Sequence, residues 1–316
     1  MRVLITGAAG NLGAMLARYL LKHSDHFLNL MIHKRELPED LAQDARLKVY
    51  RCNLAEPQTL VDACMNTDAI VHFAGVLFAP NPEGFLPVTN FQYMRNLVDV
   101  AIQAKVKRFI LISFPHVEGP TSASDPCTER QDRQPISVHA KTRLEAEKYL
   151  IRKGREHGMR AISLRPGMIY GKDVLMISFA RRLAMKGLLA VWNRPTPIHL
   201  ISIDDFLACC QAAMEKDETE GIYSLGDDEP TTLQDFLDAY CCRWELQRPW
   251  RVPLWSVYAV AWLCEMFAKI FKTQSPFTVD FTRIGLVPYY CDTGKMKKHL
   301  LAKLKYPSWK EGIKSV

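Results

Sequence analysis

One segment near the start, Thr6-Gly7-Ala8-Ala9-Gly10-Asn11-Leu12-Gly13, constrains this chain more than any other. It follows a short apolar run, Arg2-Val3-Leu4-Ile5, and precedes an amphipathic stretch over residues 11–22. Three glycines between a strand and a helix have separate physical jobs. Gly7 permits a tight turn. Gly10 lets backbone amides approach a ligand with no side chain between. Gly13 lets the helix pack on the strand. The helix N-terminus then presents unpaired amides and a partial positive charge. Ala9, Asn11 and Leu12 complete a cradle suited to a pyrophosphate.

The pattern that follows repeats this alternation. Apolar runs at residues 2–6, 27–32, 47–52, 69–73, 109–113 and 161–164 read as strands. Amphipathic stretches at 11–22, 57–65, 85–103 and 138–156 read as helices. Continuous apolar strands alternating with helices predict an α/β fold, a doubly wound parallel sheet covered on both faces. Right-handed crossovers then give the Rossmann arrangement. After Arg165-Pro166-Gly167 strands become rare and Pro and Trp more frequent. The expected division is a nucleotide-binding domain over 1–166 and a smaller C-terminal substrate-binding lobe over 167–316, with the chain free to cross between them. Residues 119–134, rich in Pro, Ser, Thr and Asp, read as a loop over the carboxyl edge of the sheet.

A dinucleotide cradle raises the question of which dinucleotide. At the end of the second strand an NAD protein usually places an acid on the adenosine ribose. This chain has His33-Lys34-Arg35 there. Basic groups suit a 2′-phosphate, so NADP(H) is the expected cofactor and NAD the alternative. Asn53, after the third strand, is expected on the adenine edge or as a simple turn residue.

Composition narrows the partners. The 316 residues are 48% hydrophobic and 24% charged, which suits two domains or one domain with a cap and excludes disorder. The net charge of +7 is concentrated in residues 293–316, which hold seven Lys, one Glu and no Arg. The remainder is nearly neutral, so no nucleic-acid face is expected. The tail reads as a solvated helix over 295–305 with Met296, Leu300, Leu301 and Leu304 turned inward, and membrane contact is not expected. Nine scattered cysteines without zinc spacing predict free, mostly buried thiols and no metal site. The longest apolar stretch, residues 252–264, is shorter than a bilayer span of about 20 residues. The chain opens directly on a strand, so no leader and a cytoplasmic location are expected.

Further motifs now carry a family resemblance. They are Asp68-Ala69-Ile70-Val71-His72-Phe73-Ala74-Gly75, Asn90, Val106-Lys107-Arg108-Phe109, Leu164-Arg165-Pro166-Gly167-Met168-Ile169-Tyr170-Gly171 and Ile203-Asp204-Asp205. With the glycine segment and the terminal stretch from Cys291 to Gly312, they resemble the extended short-chain dehydrogenase/reductase family over nearly the whole chain. That family includes nucleotide-sugar epimerases and dehydratases and 3β-hydroxysteroid dehydrogenase-like enzymes. The resemblance further places Leu54, Phe73, Ala74, Gly75, Asn90 and Pro166 along the cofactor. It also implies dimerisation through the helix at 138–156 and the one before it.

Family chemistry uses a Ser or Thr, a Tyr, and a Lys four residues after the Tyr. The Tyr exchanges a proton with substrate oxygen, the Lys holds the nicotinamide ribose, and the Ser orients that oxygen. This chain departs at all three positions. The Tyr-x-x-x-Lys register falls on His139 and Arg143, and the Ser position on Phe114. Tyr149 and Lys153 have the right letters, but Tyr149 would be rotated roughly 280° from His139 and lie ~15 Å along the helix. His139 and Arg143 share a helix face. An imidazole titrates near neutrality, at about 6.5 when unperturbed, so His139 can serve as proton donor. Its alternative is a polar helix residue in a site that has lost its usual chemistry. Arg143 can still clamp ribose hydroxyls.

In the second lobe, residues 252–272 read as a helix with Trp255, Ala259, Trp262, Met266 and Ile270 at helical spacing. The expected role is core, with a wall over an apolar substrate as the alternative. Trp192, Met176, Phe179, Phe277 and Phe281 add to an aromatic lobe, and Arg181, Arg182 and Arg194 are available for a diphosphate. Three functions follow. The first is an NADP(H)-dependent oxidoreductase on a small apolar carbonyl or alcohol. The second is a catalytically degenerate cofactor-binding sensor or assembly partner. The third is a nucleotide-sugar epimerase or dehydratase with a remodelled site.

Overall fold

The computed structural model describes residues 1–41, 44–75, 82–271, 273, 275 and 277–315. Seven strands, β1 (Arg2–Thr6), β2 (Phe27–Ile32), β3 (Leu47–Arg51), β4 (Ala69–His72), β5 (Arg108–Ile112), β6 (Arg160–Pro166) and β7 (Gly221–Leu225), form one sheet in the order β7-β6-β5-β4-β1-β2-β3. Every pairing is parallel. The first six strands take the doubly wound order, whose reversal at β1/β4 opens a crevice at the carboxyl ends.

The apolar runs lack polar alternation because both faces of the sheet are covered. Val3, Ile5, Val71, Ile110 and Ile162 pack on one side with α1 (Asn11–His23). Leu4, Ile70, Phe109, Leu111 and Ala161 pack on the other with α2 (Tyr93–Gln103) and α3 (Val138–His157). Each fully buried aliphatic side chain contributes roughly 1.5–3 kcal/mol. These strands are therefore anchored from both sides. β3, at the edge, is half-exposed and carries Lys48 and Arg51 outward.

The chain crosses the 166/167 division, and two other expectations need correction. The helix Ile203–Glu215 packs with α1 on the first face, and β7 pairs with β6 along its length. The chain therefore returns to the sheet before building the rest of the second lobe. The stretch at 85–103 is not one α-helix. It runs through Pro82–Leu86, a π-helical segment Pro87–Gln92, and α2. The terminal lysines are not simply solvated. Lys297 pairs with Asp228, Lys305 with Asp204 at 2.7 Å and Lys310 with Glu229 at 3.0 Å. Lys295 donates to the Ile222 carbonyl at 2.5 Å. The helix there is only Gly294–His299, with Met296, Leu300 and Leu304 buried as expected.

The second lobe is stitched by short strand pairs, including Ala190–Trp192 beside Trp250–Val252. Its helices include α4 (Leu175–Met185), α5 (Leu233–Arg243), α6 (Leu254–Phe271) and α7 (Val279–Gly285). The apolar stripe of α6 is not core. Trp255, Trp262 and Ile270 face solvent, and the buried residues are the small Ala261 and Ala268. Lys272, the last position of the expected helix, and Val316, the last of the tail, lie outside the described residues. All nine cysteines are free thiols, seven of them buried.

Candidate functional site

The cradle forms as the glycines require. Gly7 has φ +69° and accepts the Gly10 amide at 2.8 Å. A Cβ on Gly13 would lie 2.4 Å from the Gly7 carbonyl oxygen, so only glycine fits there. α1 begins at Gly10 with no side-chain cap and no acid in its first turn. Its leading amides are left for a ligand anion. The Asn11 side chain has a second task. It donates to the Asp173 carbonyl and accepts from the Leu175 amide, both at 2.9 Å, tying the cradle to the start of α4.

The loop after β4 lies across the cradle. A Cβ on Gly7 would meet the Ala74 amide nitrogen at 3.1 Å, and Phe73 stacks edge-on against Phe206. The Thr6 hydroxyl shares a hydrogen bond with His72 Nδ1 at 2.8 Å and accepts from the Ala74 amide. Burial and the Arg143 cation push His72 down to about 3, so it is neutral at pH 7. Gly75 lies against Arg143 of α3. A Cβ there would sit 2.9 Å from Arg143 Nη2 and 3.5 Å from the carboxamide oxygen of buried Asn90. Pro166 ends β6 beside this edge, and the next amide, Gly167, bonds the Leu225 carbonyl.

At the adenosine end, His33, Lys34 and Arg35 stand exposed after β2. Arg51, at the end of β3, donates to the His33 carbonyl at 2.8 Å and pairs with Glu36 at 2.5 Å. Residue order alone did not bring Arg51 to this turn; adjacent parallel strands do. The Asn53 side chain closes its own turn, donating to Glu56 and accepting from the Ala55 amide. Leu54 packs on the core beneath and offers its carbonyl to Asn96.

The three triad positions do come together. His139 and Arg143 lie in the first turns of α3, both buried. Phe114 meets His139 with ring centroids 4.9 Å apart. Burial pushes the Arg143 guanidinium down to about 10, which leaves it charged at pH 7. Its Nε and Nη1 are buried with no hydrogen-bond partner among the described residues. Orphaned donors on a buried cation are costly unless a ligand completes them. They fit ribose hydroxyls of a dinucleotide lying over the cradle.

Sequence reading missed two members of this cluster. His116 lies 5.6 Å from the Phe114 ring and 4.6 Å from the Tyr289 ring. Burial pushes it down to about 4, and its Nδ1 is buried without a partner. Tyr289 comes from the far end of the chain and holds the Met168 amide at 3.1 Å. The nearest signal for His116 was its place two residues beyond the Ser position.

α3 is held at its N-terminus and at its middle. Ser137 caps it through the Ala140 amide, and Asp280 on α7 accepts the Val138 amide at 3.2 Å and the His139 amide at 3.5 Å. Below, Arg165 joins Glu147 of α3 to Glu118 of the loop after β5, all three fully buried. Arg130 and Ser163 complete the network. Two buried carboxylates against two guanidiniums leave no uncompensated charge.

Arg181, Arg182 and Arg194 stand exposed on the second lobe. A cleft of about 650 Å³ lined by Asp68, Lys107, Arg160 and Asp217 lies at the opposite, amino-terminal edge of the sheet, away from this chemistry. Among the described residues no group of three His, Cys, Asp or Glu is placed to hold a metal ion.

Known proteins share this architecture. Residues 3–226 match the model of the NAD dependent epimerase/dehydratase family. A UDP-glucose 4-epimerase of Vibrio cholerae is 25% identical, over 85% of this chain and 82% of its own length. A trifunctional UDP-glucose 4,6-dehydratase/3,5-epimerase/reductase of Arabidopsis thaliana is 22% identical over 99% of this chain, which spans 46% of that relative. Among solved structures, UDP-glucuronic acid 4-epimerase from Bacillus cereus, in complex with UDP-glucuronic acid and NAD, superposes with a TM-score of 0.76 at 18% identity, covering 100% of this chain and 97% of that one. A dTDP-glucose 4,6-dehydratase from Bacillus anthracis, in complex with NAD, gives 0.79 at 14% identity, with 100% and 94% covered.

Proposed function

Because the chain belongs to the NAD-dependent epimerase/dehydratase family, we propose that it binds a nicotinamide dinucleotide and transfers hydride at a secondary alcohol or keto carbon, with His139 in the proton-carrying place. The observation that carries this reading is the buried Arg143, with Nε and Nη1 unpartnered, one helical turn from His139. A site that had lost its ligand would have little reason to keep a desolvated cation with open donors.

When bound, the dinucleotide supplies or accepts the hydride. The protein's residues do the rest. The α1 amides hold the pyrophosphate, Arg143 holds the nicotinamide ribose, and Asn90 and Gly75 flank it. His139 takes the substrate hydroxyl proton or returns it. Phe114 cannot hydrogen-bond that oxygen, so we assign its orientation to His116 Nδ1. His33, Lys34 and Arg35 favour NADP(H), because they offer basic groups to a 2′-phosphate.

For substrate we favour a nucleotide-linked sugar, supported by the full-length likeness to UDP- and dTDP-sugar enzymes. The small apolar carbonyl is the second reading, favoured by the Phe114, His116 and Tyr289 rings around the reacting place. Two measurements decide. Fluorescence titration with NADPH and NADH should show binding of both, tighter for NADPH. Incubation with UDP- and dTDP-sugars and with a ketone and aldehyde panel should give turnover on the sugars. Turnover only on simple carbonyls selects the second reading, and tight binding with no turnover on either panel contradicts the catalytic one.

A further inference from the structure

We infer that α6 and α4 form a docking surface for an anionic lipid bilayer. α6 has a mean hydropathy of 1.4 over 18 residues, yet only 11% of it is buried. Among its described residues only Ala261 and Ala268 are buried. Trp255 is 72% exposed, Trp262 56%, Phe267 57% and Ile270 67%. At about 100° per residue these side chains fall on one outward face. Large apolar side chains on a solvent face of this extent mark an interaction surface.

The patch does not end with α6. Trp250, just before it, is exposed and bonds the Gly187 carbonyl through its indole at 3.0 Å. That contact brings the end of α4 alongside, where Met185 and Leu188 are also exposed.

Charge identifies the occupant. The segments 172–194 and 243–271 hold nine basic residues against three acidic ones. Among the described residues, none of Arg181, Arg182, Lys186, Arg194 and Arg248 forms an ion pair, whereas Arg251 pairs with Asp238. The terminal lysines, by contrast, are matched by acids of the body. The unmatched cations therefore surround the apolar patch. Two copies meeting face to face would bring like charges together. A bilayer with anionic headgroups offers apolar depth and complementary charge at once. Trp255 and Trp262 suit its interface, where an indole buries its rings and keeps its N–H wet.

α6 lies along such a surface and does not cross it. Glu265, within the helix, accepts the Val279 amide at 2.9 Å, and Leu254 and Val257 pack on the core. Crossing would break these contacts and bury Glu265 and Lys269 in hydrocarbon. Because α7 then caps α3 through Asp280, the docked surface is one helix removed from His139. This departs from the sequence-based expectation of no membrane contact.

The test is co-sedimentation of the full chain with vesicles of phosphatidylcholine alone and of phosphatidylcholine with phosphatidylglycerol. Binding is expected to the anionic vesicles, with a blue shift of tryptophan emission and quenching by brominated acyl chains. Each basic residue at a bilayer surface is worth about fivefold in affinity. Arg181→Glu with Arg182→Glu should therefore weaken binding at least about 25-fold, and Trp262→Ser with Phe267→Ser should abolish the quenching. These positions are exposed, so dinucleotide binding should be unchanged and serves as the folding control. Equal sedimentation with both vesicle types overturns the charge argument. A wild-type dimer that Trp262→Ser with Phe267→Ser converts to monomer, with no vesicle binding, overturns the proposal in favour of a second copy.

Discussion

Arg143 carries a charge into a place with little water, and the groups around it are arranged accordingly. His72 is kept neutral beside it, and Gly75 gives it room. Hydrogen bonds to a charged group are worth about 1.5–3 kcal/mol. Arg143→Ala should therefore weaken dinucleotide binding by roughly 10- to 150-fold, read by cofactor fluorescence. Unchanged affinity would mean that the open donors face nothing the cofactor offers. The same residues show how much of the site was legible. The glycine spacing announced the cradle because backbone sterics leave few alternatives. The helical register placed His139 and Arg143 on one face, and the family resemblance pointed to Phe114. Nothing local announced Arg51, Tyr289 or Asp280, which reach the site through strand adjacency or through the return of the distant chain. His116 had only its place two residues beyond Phe114 as a signal.

At the level of elements, α3 holds the reacting groups and is itself held by buried charge. Arg165 bonds Glu147 at 3.0 Å through Nε and Glu118 at 2.6 Å through Nη1. Removing Arg165 leaves Glu147 without a counter-charge in the core and Glu118 with Arg130 alone, a break that typically costs about 3–5 kcal/mol. Arg165→Met should lower stability by about that amount in urea unfolding, and adding Glu147→Gln should recover part of it. A loss below about 1 kcal/mol would contradict a structural role for the network. The strands and helices of the first half were legible because burial on both faces leaves an unbroken apolar signature. α6 was misread for the same reason run backwards. Its apolar stripe has core spacing, and spacing cannot tell a neighbouring helix from an external surface. β7 was missed because it lies beyond residue 167, where the sequence reads as poor in strands.

At the scale of the whole molecule, proton binding shapes stability in two opposing ways. Burial pushes Asp227 up to about 8. Its Oδ2 has no partner, and the neighbouring His199 is held down by its own burial. Between about 4 and 8 the folded chain keeps a proton that the unfolded chain has lost, so this group's contribution declines as pH rises. His72 and His116 act on the acid side. The unfolded chain takes up their protons below about 6.5 while the fold resists, so stability falls with falling pH. Asp227→Asn should therefore gain in Tm relative to wild type as pH rises from 5 to 8, followed by thermal unfolding at each pH. A difference independent of pH would mean that Asp227 ionises in the fold as it does in water.

The central claim is that hydride chemistry survives with His139 where a tyrosine would stand. The most direct measurement follows nicotinamide fluorescence during turnover by wild type and by His139→Ala at equal cofactor occupancy. Loss of a proton-transfer group typically costs about 10²–10⁴ in rate. The expected result is a fall of that size in kcat with dinucleotide affinity unchanged. Full activity in His139→Ala would contradict the assignment.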